Sequence, residues 1–184
     1  EEDIWMTLDA LDFTGAPEWW QIASIDGIPQ SMAYSDDANY LFIGTQDGKL
    51  YRVANIALAY NQERADISES TCIIATSMIY DFDGRIITSI AVDPNNSEHI
   101  VVTLGNYGNS DYVFCTENAL DEMPDFTSIQ GNLPYLPVYS SLIEMNSSDR
   151  IILGSNWGFG FGLSIDTIHQ TKCFRNEKSK LAYW

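Results

Sequence analysis

An all-β fold assembled from repeated antiparallel sheets is what this sequence of 184 residues predicts, and three observations carry the prediction. Helical periodicity is weak throughout. Short runs rich in Ile, Val, Tyr, Phe and Thr alternate with Gly, Asn, Asp and Pro clusters at strand-length spacing. Three segments share one layout, with equivalent serines at Ser31, Ser89 and Ser140 that lie 58 and 51 residues apart. A four-stranded blade with generous loops occupies about that length. The expected architecture is therefore a β-propeller of four-stranded antiparallel blades, about three of them, forming part of a larger ring.

Two expected strands near residues 5–8 and 19–22 read as the end of a preceding blade over residues 1–27. Residues 28–84 form the first full repeat. Its inner strand (31–34) passes through the acidic hairpin Ser35-Asp36-Asp37-Ala38-Asn39 to a second strand (40–45), a Gln46-Asp47-Gly48 turn and a third strand (50–53), with 72–75 expected outermost. Residues 85–136 echo this order: strand 87–92, the hairpin Asp93-Pro94-Asn95-Asn96, strand 100–104, a Gly-Asn turn, strand 112–116, and Phe126-Thr127-Ser128-Ile129 outermost. Residues 137–184 make an incomplete third repeat with strands near 139–144, 151–155 and 161–164 and a turn at Asn156-Trp157-Gly158. The Asp and Asn clusters are turn formers, because their side chains bond nearby backbone N–H groups. Gly44, Gly105 and Gly154 are expected at equivalent strand ends, where close backbone approach leaves no room for a Cβ. Such an open arc, with no polar cap apparent at its ends, is expected to leave apolar faces carrying Phe42, Ile90 and Leu153 near solvent. Self-association, or the remainder of a larger propeller, would cover them.

The hydrophobic fraction of 45% is that of a folded globular chain. Asp and Glu number 26 against 9 Lys and Arg, a net charge of −17. Neutralising phosphates needs clustered basic residues, and the five arginines are scattered among acidic neighbours, so nucleic acid is excluded as a partner. Anionic membrane surfaces are disfavoured by the same repulsion, and no apolar run approaches the ~18 to 20 residues a membrane helix requires, so no membrane insertion is expected. Cys72, Cys115 and Cys173 show no metal-ligand spacing, allow at most one disulfide, and are expected to be buried structural residues. The start Glu1-Glu2-Asp3 has the form of a mature chain after signal removal, of a trimmed chain or of an internal fragment.

The run Ile87-Thr88-Ser89-Ile90-Ala91-Val92-Asp93-Pro94-Asn95-Asn96 followed by Ile100-Val101-Val102-Thr103-Leu104-Gly105 resembles the repeat of sortilin-like and BNR-like β-propellers. Within that group, Gly131-Asn132-Leu133-Pro134, Pro137-Val138-Tyr139-Ser140 and Ile151-Ile152-Leu153-Gly154-Ser155 resemble large exported propellers of Gram-negative bacteria that carry a C-terminal secretion-sorting domain. The resemblance implies a secreted or cell-surface location, with the periplasm as the alternative. The Asp-box pattern Ser-x-Asp-x-Gly-x-Thr-Trp of sialidases and xyloglucan-degrading relatives is absent. Only its opening survives, at Ser164-Ile165-Asp166.

The chemistry-bearing residues divide two function classes. A glycoside hydrolase related to xyloglucanases or sialidases would need facing carboxylates, and the loops supply Asp36, Asp47, Asp81, Asp83, Asp93 and Asp111, each also an ordinary turn residue. No arginine sits in the context of a sialidase triad, and His99 and His169 lack partners for nucleophilic catalysis. Trp157, Tyr107 and Asp47 are the candidate ligand-binding residues, aromatic faces being suited to sugars and blade packing being the alternative use. Asp81-Phe82-Asp83-Gly84 resembles part of a calcium loop without its later ligands. Asp81 and Asp83 are thus candidate metal ligands, hairpin-turn use is the simpler reading, and no cofactor is required. The expected function is a non-catalytic propeller module binding protein or glycan through its blade loops, with a fragment of a carbohydrate-active enzyme as the alternative.

Overall fold

The computed structural model describes residues 1–59, 74–155 and 169–170. Strands β1 (Glu2–Met6) and β2 (Trp20–Ile25) form an antiparallel pair. A four-stranded sheet follows, in spatial order β3 (Pro29–Tyr34), β4 (Tyr40–Thr45), β5 (Lys49–Ala54) and, after the one-turn helix α1 (Ile56–Ala59), β6 (Ala75–Asp81). The next sheet takes β7 (Ile87–Asp93), β8 (Asn96–Leu104), β9 (Val113–Thr116) and β10 (Thr127–Ser128) in the same order. A third has β11 (Val138–Glu144), β12 (Ser147–Ser155) and β13 (His169–Gln170). Neighbours in every sheet are antiparallel and follow chain order, and β3, β7 and β11 lie side by side as inner strands. The chain is all-β and forms an open arc of propeller blades.

The first and second sheets are each sandwiched between neighbours, which explains their apolar runs. In β4, Leu41 and Ile43 face the β1–β2 pair while Phe42 faces the next sheet, so consecutive residues are buried on opposite sides. A second core joins the first and second sheets through Phe42, Leu50, Ile87, Ile90, Ile100 and Val102. A third joins the second and third through Ala91, Val101, Val113, Cys115, Val138 and Ile143. Phe42 is 0% and Ile90 7% exposed, and Leu153 packs against the third core. Phe42 and Ile90 therefore do not lie near solvent as expected, because they face inward between sheets of the arc, and Leu153 is partly buried on an inward face.

Two further expectations are corrected, and a third falls outside the described residues. The outermost strand of the first sheet is Ala75–Asp81, displaced from the expected 72–75, and Cys72 lies outside the described residues. An outer strand has wet faces and needs few apolar residues; β6 buries Ile79 among exposed Ala75, Thr76, Ser77 and Met78, so the apolar run before it was a misleading signal. The third partner in the last sheet is His169–Gln170, whereas the expected strand at 161–164 lies outside the described residues. The β1–β2 pair does carry a polar outer face: Asp3, Gln21 and half-exposed Trp5 point away from the core, with Gln21 Nε2 donating to Asp3 Oδ1 at 2.8 Å.

The repeat is legible in the register. Every inner strand slips by one residue near its start, between Pro29 and Ser31, Ile87 and Ser89, and Val138 and Ser140. Hydroxyls from these positions tie adjacent inner strands together, whose backbone edges would otherwise lack partners. Ser31 Oγ donates to Ile87 O at 3.1 Å, Thr88 Oγ1 to Val138 O, and Ser89 Oγ meets Ser141 Oγ at 3.0 Å while accepting from Ser141 N at 3.1 Å. Across the sheets, Ser31 opposes Gly44 and Ser140 opposes Gly154, but Ser89 opposes Thr103. Gly105 is therefore not the register equivalent of the other two glycines. It lies past the strand end, where its N–H donates to Ile86 O at 2.9 Å.

Candidate binding surface at the loop end

The arc has two chemically distinct ends. At one, the hairpins between the first and second strands of each blade are clasped internally: Tyr40 N donates to Ser35 Oγ at 3.0 Å, His99 Nδ1 lies 3.1 Å from Asp93 Oδ2, and Arg150 Nη1 donates to Glu144 Oε2 at 2.5 Å. These are equivalent positions, the residue four after the repeated serine meeting the residue before the apolar run of the next strand. Asp93 is fully buried. Burial pushes its carboxyl up, but hydrogen bonds from Ser148, Asn95 and His99 outweigh this and hold it below the usual range. His99 is thus absorbed into a structural clasp.

The other end gathers the β4–β5 and β8–β9 turns with the connections between blades. Phe82 N donates to Gly48 O at 2.8 Å, Gln46 N to Ile28 O at 2.9 Å, and Ile86 N to Asn106 Oδ1 at 2.9 Å. Gly48 has a φ of +89° and lies against the backbone of Arg85, so the turn needs glycine both for its conformation and for its approach.

Asp47, Tyr107, Asp81 and Asp83 all fall at this end, but not in one constellation; Trp157 lies outside the described residues. Asp47 accepts from Thr45 Oγ1 at 2.6 Å and lies 3.0 Å from Lys49 Nζ, which also lies 2.5 Å from Asp26. The Thr45 hydroxyl and the lysine hold the Asp47 carboxyl below its usual value, and the two carboxylates raise the Lys49 amine above its own. Asp81 Oδ1 accepts from Asp83 N at 2.9 Å, and Asp83 and Gly84 take φ of +54° and +74°, the geometry of a tight turn. Among the described residues no group of three or more His, Cys, Asp or Glu could hold a metal ion.

Tyr107 is 67% exposed and its hydroxyl lies near that of Tyr139, itself 47% exposed, at the junction of the second blade and the third. Burial, then the Tyr107 hydroxyl, raises the Tyr139 phenol above its usual value. Beside them Tyr112 is fully buried, and the Arg85 guanidinium lies over its ring at 5.0 Å. Arg85 Nε and Nη2 are buried without an acceptor, and burial lowers the guanidinium's affinity for its proton. Asp111, nearby, is held low by Ser110 and Ser128. The sequence reading missed Arg85, Tyr112 and Tyr139. Tyr139 was within reach of it, since it precedes the repeated serine and occupies the same bulge as Gln30 and Thr88.

Cys115 is 1% exposed and disulfide-bonded, and the other two cysteines lie outside the described residues. No helix among the described residues is long and apolar enough to cross a membrane.

No protein-family model matches the chain, and no curated protein matches it. Among solved structures, it is similar to an ancestral GH74 enzyme, with a TM-score of 0.50 and 15% identity over 76% of this chain and 17% of that one. The fold is a β-propeller. The β-propeller domain of Cps50 (Swd1) from Myceliophteria thermophila is a further similar structure, with a TM-score of 0.47 and 11% identity over 72% of this chain and 34% of that one. The chain thus spans about a third of one of these propeller structures and about a sixth of the other.

Proposed function

We propose that this propeller arc is a non-catalytic binding module of an exported or cell-surface bacterial protein, which takes a protein or glycan partner at its loop end. The observation that carries the reading is the exposed pair Tyr107 and Tyr139, whose hydroxyls lie near each other between two blades beside the inner strands. Tyrosines present large contact area at little entropic cost. Arg85 supports a ligand role, because its guanidinium lies over the Tyr112 ring at the loop end with two N–H groups unmet among the described residues.

The loop carboxylates support binding over hydrolysis. A glycosidase acid needs a raised pKa, whereas Asp47 and Asp111 are held low by hydroxyl donors. Export is supported by the disulfide at Cys115, since such bonds persist in oxidising compartments, and by the resemblance to exported propellers with a sorting domain. The test is a glycan array and a pull-down with the chain and with Tyr107→Ala/Tyr139→Ala. A partner retained by the parent and lost by the variant is the expected result. Measurable polysaccharide turnover, with no partner captured, would overturn the reading.

A further inference from the structure

The register of the sheets exposes a docking surface that is independent of what the loop end binds. Two residues after the repeated serine of each inner strand lies a residue paired across to the second strand: Ala33 with Phe42, Ala91 with Val101, Leu142 with Ile152. The first pair packs into the core between the first and second blades, and the second pair into the core between the second and third. The third pair occupies the same position on the outward face of the third blade. There Leu142 is 58% exposed and Ile152 half-buried.

The polar and steric features of the interface recur with it. Ser31 donates to the backbone of the following inner strand, and Gly44 opposite it leaves the space that Ile87 of that strand fills. Ser140 and Gly154 are the same opposed pair on the third blade. Ser140 is exposed, and among the described residues a Cβ built on Gly154 meets only Ser140. A glycine notch with no occupant among the described residues, an outward aliphatic pair and an exposed serine reproduce the receiving face of the first blade. The β1–β2 pair of another copy does not fit this face, because its own outer side carries Asp3 and Gln21.

We propose that the outward face of β11–β12 docks a further four-stranded blade, whose inner strand runs beside β11 and sets an aliphatic side chain over Gly154. The test extends the chain after Trp184 with a second copy of residues 85–136, the segment that supplies β7–β10. The extended chain is expected to melt roughly 5 °C or more above the parent and to lose most of the parent's binding of a hydrophobic dye. Extension of the Leu142→Asp variant should gain neither. In the unextended chain, Leu142→Asp should leave the melting temperature within about 2 °C and at least halve dye binding. An extended chain that is folded by circular dichroism, yet melts and binds dye like the parent, overturns the proposal. So does an unextended chain that dimerises in sedimentation and is dissociated by Leu142→Asp, since a second copy then covers the face.

Discussion

Gly44→Ala tests the close approach of neighbouring blades at a single atom. The added Cβ would strike Cβ and Cγ2 of Ile87 on the next inner strand and lie 2.8 Å from Ser31 Oγ. Ile87 is fully buried, so it has nowhere to retreat without moving β7. Overpacking of this kind costs roughly 1–3 kcal/mol, and disturbing the Ser31 hydroxyl that bonds Ile87 O adds about 1 kcal/mol. Loss of glycine's freedom in the unfolded chain returns only about 0.4–1 kcal/mol. The net is a destabilisation of roughly 1–3.5 kcal/mol, or a melting temperature lowered by about 3–12 °C for a chain of this size. Thermal and urea unfolding read it. Ile87→Ala alone should cost about 2–5 kcal/mol. In the double variant the new methyl enters the vacated space, so the combined loss should fall short of the sum by about 1 kcal/mol or more. A Gly44→Ala chain as stable as the parent, or a cycle additive within about 0.5 kcal/mol, would refute the contact as the reason for glycine.

Gly154→Ala, at the same register position on a face left open by the described residues, should cost less than about 1 kcal/mol by the same assay, because the close contact it makes there is with the rotatable hydroxyl of Ser140. Asp93 has a folded-state carboxyl below its unfolded value, so its stabilisation is fully present above about pH 4 and is lost as pH falls through the folded value. Asp93→Asn should therefore be less stable than the parent at pH 7 by about 2 kcal/mol and flatter in its loss of stability between about pH 4 and 2, as measured by urea unfolding. Arg85→Met should be within about 1 kcal/mol of the parent or more stable, since it removes a buried charge with two unmet donors. Arg52→Ala should lose about 1–2 kcal/mol, because Arg52 Nη1 donates to both Ala119 O and Asp121 O in the next blade.

The repeat was legible because a buried blade leaves a coarse signal: two-sided apolar strands, turn residues at fixed offsets and a serine at the same position of each inner strand. What that serine does was not legible. Its partner is a backbone atom 56 residues away, and nothing in a local pattern marks a bond across blades. Gly105 misled for a related reason. It follows an apolar run as Gly44 and Gly154 do, yet a run that is longer by two residues moves the glycine past the register position, which only the pairing of Ser89 with Thr103 exposes. The outer strand β6 was misplaced because an edge with wet faces carries a weaker apolar signal than the apolar run that precedes it in the sequence. Tyr107 and Asp47 were singled out from the sequence, and both are exposed at the loop end. Arg85 was not singled out, because its significance lies in burial without an acceptor, a property of the assembled turns.

The division of labour between the two ends follows from how each spends its polar groups. The hairpin end uses hydroxyl, carboxylate, imidazole and guanidinium side chains in three equivalent clasps, each internally satisfied, and such closure leaves little for a partner to recognise. The loop end repeats nothing: an acid-lysine-acid bridge on the first blade, an aspartate turn leading to the second, and a tyrosine pair at the junction of the second and third. Divergence among otherwise equivalent turns, borne on strands fixed by hydroxyl bonds between blades, is the arrangement that lets one rigid scaffold present a specific surface. Arg85 sharpens the contrast. It is the one described residue with two buried side-chain donors unmet, and it lies where the divergent turns converge. A group so costly to the fold is best explained by what it meets in the bound state. Binding should therefore weaken at least tenfold in Arg85→Met, while the stability of the unbound chain holds or rises.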